Sequence, residues 1–419
     1  MAEVVEVDPP GGVLRQVDFN DGRLFDDPWS TYKWLRDNDP CYRDEKNGLW
    51  VLSRHSDISH VSRVTDLYCS KHGVRPKVAV PMSLISMDEP EHTRQRRLIN
   101  KGFTPRQVKR LEPHIRDLSS QIVDEIKARG EIDFVEGFAM HVPLIVIAEL
   151  MGLDPAGRDR LYRWSDMMMS GDGHSDDDGG REIEEAARAF GEYVEYLIPI
   201  IKAKRANPSE DLISILAGAY DEGGLDGGEA TAVEGIDELT SDELLMFLVI
   251  LLVAGNETTR NAITGGMRAF SDFPDQKQKF LDRPELADLA ADEIVRFVSP
   301  VISFSRTVTR SHELHGKRLE EGDKVLLLYQ SANRDERVFE DPDQFRIDRD
   351  PNPHLGFGIG PHFCLGANLA RLEIKVVFEE LFARLRDVKV ADGAGLERSA
   401  NSLVLAIEHL PVVFTPAAT

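Results

Sequence analysis

A cysteine inside a glycine-rich decapeptide constrains this chain more than any other stretch: Phe357-Gly358-Ile359-Gly360-Pro361-His362-Phe363-Cys364-Leu365-Gly366. Glycines at 358, 360 and 366 free the backbone from the limits a Cβ imposes and let it approach another body closely. Helical spacing follows, predicting a last helix from about Leu365 to Leu385. Backbone N–H groups at its start then point at the sulfur, and with the helix dipole they stabilise a thiolate. A thiolate is what a haem iron needs to push electron density toward O–O cleavage. A lone cysteine is far more often an ordinary buried side chain. It is the whole decapeptide, and not Cys364 alone, that sets the two readings apart.

The decapeptide resembles the haem loop of the cytochrome P-450 family, Phe-Gly-x-Gly-x-His-x-Cys-x-Gly, and meets every fixed position of it. The resemblance implies Cys364 as the axial ligand of a haem b (iron protoporphyrin IX), cradled by Phe357, Gly358, His362 and Gly366. It implies a mainly α fold with minor β, helix-rich with small sheets around a buried haem. Cys41 and Cys69 lack any such context and read as structural.

Upstream, Thr240-Ser241-Asp242-Glu243 reads as a capping box opening a long helix over about 241–270. Within it lies Ala254-Gly255-Asn256-Glu257-Thr258-Thr259. An acid beside an alcohol in an apolar helix is costly unless paired or hydrated. Gly255 costs about 1 kcal/mol of helix propensity and suits a flat ligand's close approach or a local opening of the helix. A polar patch facing a neighbouring helix is the competing explanation. The hexapeptide resembles the family's oxygen-binding motif, Ala/Gly-Gly-x-Asp/Glu-Thr-Thr. That resemblance places Ala254 and Gly255 against the cofactor, has Thr258 hydrogen-bond the dioxygen and has Glu257 relay protons from solvent. Cleaving O–O to water needs two protons, and a carboxylate with a hydroxyl is competent to deliver them.

Glu293 and Arg296, three apart on one helical face, read by themselves as a solvated pair. With Phe345 and Arg349 they resemble the family's Glu-x-x-Arg helix and its arginine-bearing meander, which implies a buried network of Glu293, Arg296 and Arg349 holding the cysteine loop. His92 and Arg96, bland as single exposed bases, match the family's His-x-x-x-Arg spacing for haem propionates. Arg306 and His362 match two further propionate contacts.

Fifty basic against 73 acidic residues leave a net charge of −23. That argues against nucleic acid, whose phosphates need a basic face. No secretory leader is expected from the acidic start, and the longest apolar run, Leu244 to Gly255, falls short of the about 20 residues that span a bilayer. Three cysteines, an odd count with no paired spacing, argue against a disulfide framework and point to a reducing cytoplasm. One unit over 1–419 is expected: a β-richer part over 1–90, a helical part over 91–299 with helical pattern from Glu91 to about Leu216, and a haem-loop part over 300–419. Polar loops are expected at Gly171–Gly180 and Glu222–Glu238, a helix over Asp292–Val298 and a β-run over Lys324–Tyr329.

No flavin or iron–sulfur module is legible, so electrons are expected from a ferredoxin and its reductase. Bases at Arg94, Arg96, Arg97, Lys101, Arg106, Lys109, Arg110 and Arg116 offer an acidic ferredoxin a dock, or simply a solvated helix face. Family correspondence places an apolar substrate pocket at Val80, Leu84, Ile250, Val253, Ala254, Val301, Ile302, Phe304, Leu403 and Val404. Met167 to Met169 serve either as an adaptable lid or as core packing. Asn261, Ser331–Glu336 and Pro351–Gly356 resemble actinobacterial members that act on sterol side chains and methyl-branched lipids. Terpenoids, fatty acids and polyketides stay open. The resulting expectation is a monomeric monooxygenase without a membrane anchor that hydroxylates an apolar small molecule. Its rivals are a peroxide-driven or otherwise non-monooxygenating haem-thiolate enzyme, and a haem sensor or carrier.

Overall fold

Thr240 and Glu243 close the capping box: Thr240 Oγ1 accepts from the Glu243 N–H at 3.2 Å, and Glu243 Oε2 accepts from the Thr240 N–H at 2.8 Å. Two orphan donors of the first turn are thereby satisfied. The helix they open runs over Ser241–Asp272, roughly 48 Å at 1.5 Å per residue. The structure is a computed structural model that describes residues 17–76, 83–154, 157–170, 180–217 and 239–417. The expected loop at Gly171–Gly180 (but for Gly180 itself) and all of Glu222–Glu238 lie outside the described residues.

The long helix is apolar on most sides and becomes the axis of the core, packed by helices His141–Met151, Arg158–Ser170, Ala287–Val298 and Ala367–Arg384. In His141–Met151, Val142 to Ala148 are all buried, as befits a helix largely enclosed by others. Near the end of the axis, the Phe270 ring lies 5.1–5.6 Å from Phe280, Phe345, Phe378 and Phe382, mostly edge to face. Such pairs add to area burial through their quadrupoles. Here they tie the loop-borne Phe345 to three helices.

The sheet part is small. Its largest sheet orders Cys41–Asp44, Leu49–Leu52, Lys324–Leu328, Ser303–Val308 and Tyr68–Cys69. Leu49–Leu52 pairs in parallel with Lys324–Leu328, and the other pairings are antiparallel. The class is mainly α with minor β.

Three boundaries depart from the sequence reading. The run Glu91–Leu216 is broken by strand Glu131–Asp133, which pairs with Pro411–Val413 near the other end of the chain; so distant a partner leaves no local periodic trace. The run from Lys324 ends at Leu328, because Tyr329 opens a helical turn to Ala332. The last helix starts at Ala367, since Cys364 to Gly366 belong to the turn that enters it.

Candidate functional site

The cysteine loop is shaped by its glycines. Gly358 and Gly360 sit at φ +68° and +77°, where a side chain is strained. The loop closes on itself as Cys364 N–H donates to Phe357 O at 2.8 Å. The sulfur is open to an interior cavity, and the Gly366 N–H is directed at it. Burial pushes the thiol up, opposed by that N–H and by Arg96 and Arg371.

The cavity lies between this loop and the long helix, with Ala254, Gly255, Thr258, Phe357, Gly358, Cys364 and Gly366 all in its wall. In the otherwise buried middle of the helix, Ala254 is exposed and Thr258 half-exposed, because both face this space. Thr258 Oγ1 donates back to Ala254 O at 2.7 Å. Among the described residues, its chain neighbours aside, none comes within 4 Å of a Cβ added at Gly366, so the backbone borders open space there. Gly255 differs from expectation. A Cβ there would come within 2.7 Å of Ile147 Cδ1, so what needs the bare backbone is the neighbouring helix, not only a ligand.

Four donors converge on the same cavity: His92, Arg96, Arg306 and His362. The His92 and His362 rings are 4.3 Å apart. Arg96 donates to Phe363 O at 2.5 Å, and Arg306 to Ser305 O at 2.9 Å. Among the described residues, His92 Nε2 is buried without a hydrogen-bond partner. Burial, then the charges of Arg306, His92 and Arg96, pull His362 down to about 2. Burial and Arg96 likewise lower His92. Two arginines, beside two histidines that they and burial hold neutral, around an orphaned nitrogen suit a ligand bringing carboxylates. Together with the sulfur and the flat cradle, they fit a haem and its two propionates.

The structure separates Glu257 from Thr258. Glu257 is absent from the cavity wall; its carboxylate is buried beside Arg260, with Nη2–Oε2 at 2.5 Å. Asn256 Nδ2 is 3.4 Å and Ser165 Oγ 3.5 Å from its other oxygen. Arg260 continues to Tyr162 Oη at 3.2 Å and to half-exposed Asp166 at 3.8 Å. Burial pushes the Glu257 carboxyl up, and Arg260 opposes it. At rest the acid faces a polar cluster leading outward.

Glu293 is fully buried. Its oxygens meet Arg296 at 2.7 and 2.8 Å and Arg349 at 3.2 Å, and it also accepts from Arg346 N–H and Asn352 Nδ2. Arg296 adds the carbonyls of Asn333, Pro342 and Gln344. Helix Ala287–Val298 is thus bolted to the segment that enters the cysteine loop.

Of the expected pocket residues, Leu84, Ile250, Ala254, Val301 and Phe304 line the cavity, while Val80 lies outside the described residues. Val253, Leu403 and Val404 instead pack with Met169 and Ala406 in a cluster behind Phe304, making Met169 part of that packing. Ile302 is instead buried in a core with Leu49, Val51, Leu326 and Leu328. Sequence reasoning missed Ile147, Phe247, Leu251, Tyr329 and Glu373 in the wall. Phe247, Leu251, Ala254 and Thr258 share one helical face, so the 3-and-4 spacing carried the signal for the first two. Ile147 comes from another helix and left none.

Among the described residues, Glu373 Oε1 has no hydrogen-bond partner, and burial raises the carboxyl to about 8. An acid raised on folding is stabilising below its unfolded value, near 4.5, and loses that contribution as pH rises to about 8. Glu373→Gln is therefore expected to match the parent at about pH 4.5 and to exceed it by on the order of 3 kcal/mol at about pH 7 and above. Denaturant unfolding at both ends of that range checks it.

Of the basic side chains expected to face a partner, Arg94 pairs with Glu243, and Arg116 is held by Glu112, Glu379 and Glu380. Arg97, Lys101, Arg106, Lys109 and Arg110 are exposed. Among the described residues, no helix is long and apolar enough to cross a membrane.

Comparison with known proteins bears on these features. Residues 179–410 match the family model described as Cytochrome P450. A steroid C26-monooxygenase of Mycolicibacterium smegmatis is 36% identical over 405 residues, covering 96% of this chain and 97% of its own. A methyl-branched lipid omega-hydroxylase of Mycobacterium bovis is 37% identical over 380 residues, covering 88% and 85%. Among solved structures, CYP109E1 from Bacillus megaterium in complex with testosterone superposes with a TM-score of 0.83 at 31% identity, covering 92% of this chain and 97% of its own.

Proposed function

Because the chain belongs to the cytochrome P450 family of oxygen-dependent haem-thiolate monooxygenases, we propose that it hydroxylates the side chain of a sterol or a methyl-branched lipid. The single observation that carries the proposal is the cavity itself. Beyond its cysteine floor and cationic rim, the wall is built from Leu84, Ile147, Phe247, Ile250, Leu251, Val301 and Phe304. Such a wall offers an apolar ligand contact area and few polar anchors, so shape, and not hydrogen bonding, orients it. The acting class of two relatives, steroid and branched lipid, supports the same choice.

When bound, the haem, which we assign as haem b on Cys364, supplies dioxygen activation and insertion of one oxygen atom into an unactivated C–H bond. The chain's own part is as follows. His92, Arg96, Arg306 and His362 hold the propionates, and Gly358 and Gly366 leave room for the ring. Thr258 presents its hydroxyl on the cavity side, with its proton parked on Ala254 O. Glu257 takes protons from the polar cluster that reaches the surface at Asp166, and must leave Arg260 and turn to pass them to Thr258. Water is excluded from the reaction side by the apolar wall. Electrons come from a separate acidic ferredoxin and its reductase. The exposed bases of Pro105–Arg110 offer the dock, on a helix packed against Ala367–Arg384, which follows the cysteine. Free, buried Cys41 and Cys69 suit a reducing cytoplasm.

The test is a spectral titration of the ferric holoenzyme with sterols and branched lipids, followed by reconstituted turnover. A high-spin shift and product are expected. Thr258→Ala is expected to keep the shift, yet form roughly tenfold less product or worse per electron consumed. No shift with either lipid class removes the substrate proposal; full coupling in Thr258→Ala removes the threonine's role.

A further inference from the structure

A second polar network, centred on Asp292 next to Glu293 in the chain, touches the cysteine loop. Asp292, on helix Ala287–Val298, accepts through Oδ1 from Arg371 Nε at 2.7 Å and lies 3.1 Å from His354 Nε2. The other ring nitrogen of His354 accepts from Gly356 N–H at 3.1 Å, which puts the histidine's proton on Nε2, aimed at Asp292. His354 is nearly inaccessible at 4%, while Asp292 and Arg371 are about a third exposed, at 28% and 33%. Burial raises Asp292, but the bonds from His354 and Arg371 more than offset it and leave the carboxyl below its ordinary range.

Arg371 lies two turns beyond Cys364, and its guanidinium carbon sits 4.5 Å from the centre of the Phe357 ring. Phe357 is the residue whose carbonyl receives the Cys364 N–H. Arg371 is also among the charges that favour the Cys364 thiolate. One carboxylate therefore anchors the approach to the loop through His354 and neutralises the cation stacked on the loop's first residue.

We propose that Arg371 is a positioning residue that sets the electrostatic environment of the Cys364 sulfur, and that Asp292 is the counter-charge that moderates it. The proposal rests on Cys364 being the haem ligand. A bare cation beside the thiolate favours the electron-rich, reduced state of the group it ligates, and a neutralised cation favours it less. Asp292 thus tunes the reduction potential downward and Arg371 tunes it upward.

The experiment is a spectroelectrochemical titration of purified holoenzyme, without any redox partner, with the reduced–carbon monoxide spectrum taken on each sample. Arg371→Gln is expected to lower the potential and Asp292→Asn to raise it, both with the thiolate band intact. The double variant should return close to the parent, and Arg371→Lys should stay near it. Opposite signs distinguish this role from plain scaffolding, which shifts both variants the same way while eroding the thiolate band. Shifts of equal sign, or none with the band intact, overturn the proposal. If Asp292→Asn fails to retain haem, the sign of Arg371→Gln against Arg371→Lys decides it. Loss of the thiolate band in the parent protein would instead remove the ligand assignment beneath it.

Discussion

Cys364→Ala abolishes turnover while leaving a folded protein that still takes up haem. The sulfur faces the cavity and does not serve the surrounding packing, so its removal opens little new space. The rim of His92, Arg96, Arg306 and His362 is untouched, and it keeps its attraction for propionates. What disappears is the electron push of a thiolate on the iron. A thousandfold loss, about 4 kcal/mol of barrier, is the least effect expected. The reduced–carbon monoxide spectrum is the measurement: the thiolate-type band must vanish, and its persistence in Cys364→Ala would sink the ligand assignment.

Glu293→Gln is the second large effect and acts on folding. Glu293 is fully buried and serves Arg296, Arg349, the Arg346 N–H and Asn352 together. Gln keeps the volume but cannot neutralise two guanidinium groups. Removing one member of a buried charged network costs about 3–5 kcal/mol, since uncompensated charge stays behind. That is a large fraction of the stability of most folded chains. The loop segment from Asn333 to Arg349 loses its bolt, so haem retention should fall with stability. Denaturant midpoint and haem per chain are measured together. A variant with parental values for both would show that Arg296 and Arg349 are adequately held by the carbonyls of Asn333, Pro342, Gln344, Glu340 and Asp341.

Much of the fold and site is legible in the sequence, for identifiable physical reasons. The capping box and the cysteine loop are local: a few consecutive residues fix backbone geometry, and their glycines stand at positive φ. Residues converging from distant segments, such as His92 and Arg306, were reachable only through resemblance, because nothing in their own surroundings points to a carboxylate. Side-chain direction was the least legible property. Ile302 reads as a neighbour of Val301 in one pocket, yet it is buried in a core with Leu49, Val51, Leu326 and Leu328. Glu257 follows the long helix, but its rotamer answers to Arg260 and to Ser165 on another helix. Gly255 looked like an accommodation for a ligand and turned out to accommodate Ile147 as well.

The parallel pairing of Leu49–Leu52 with Lys324–Leu328 also fixes when this molecule can finish folding. The Trp50 indole N–H reaches Asp323 at 2.7 Å across 273 residues of chain. All four residues of Leu49–Leu52 are buried in the finished sheet. During synthesis at about 5–20 residues per second, that strand waits roughly 15–55 s for its central partner. Its hairpin with Cys41–Asp44 forms early but is only marginally stable alone. Contacts of such long sequence separation are entropically late, which makes the N-terminal segment the part of the nascent chain most in need of shielding from aggregation.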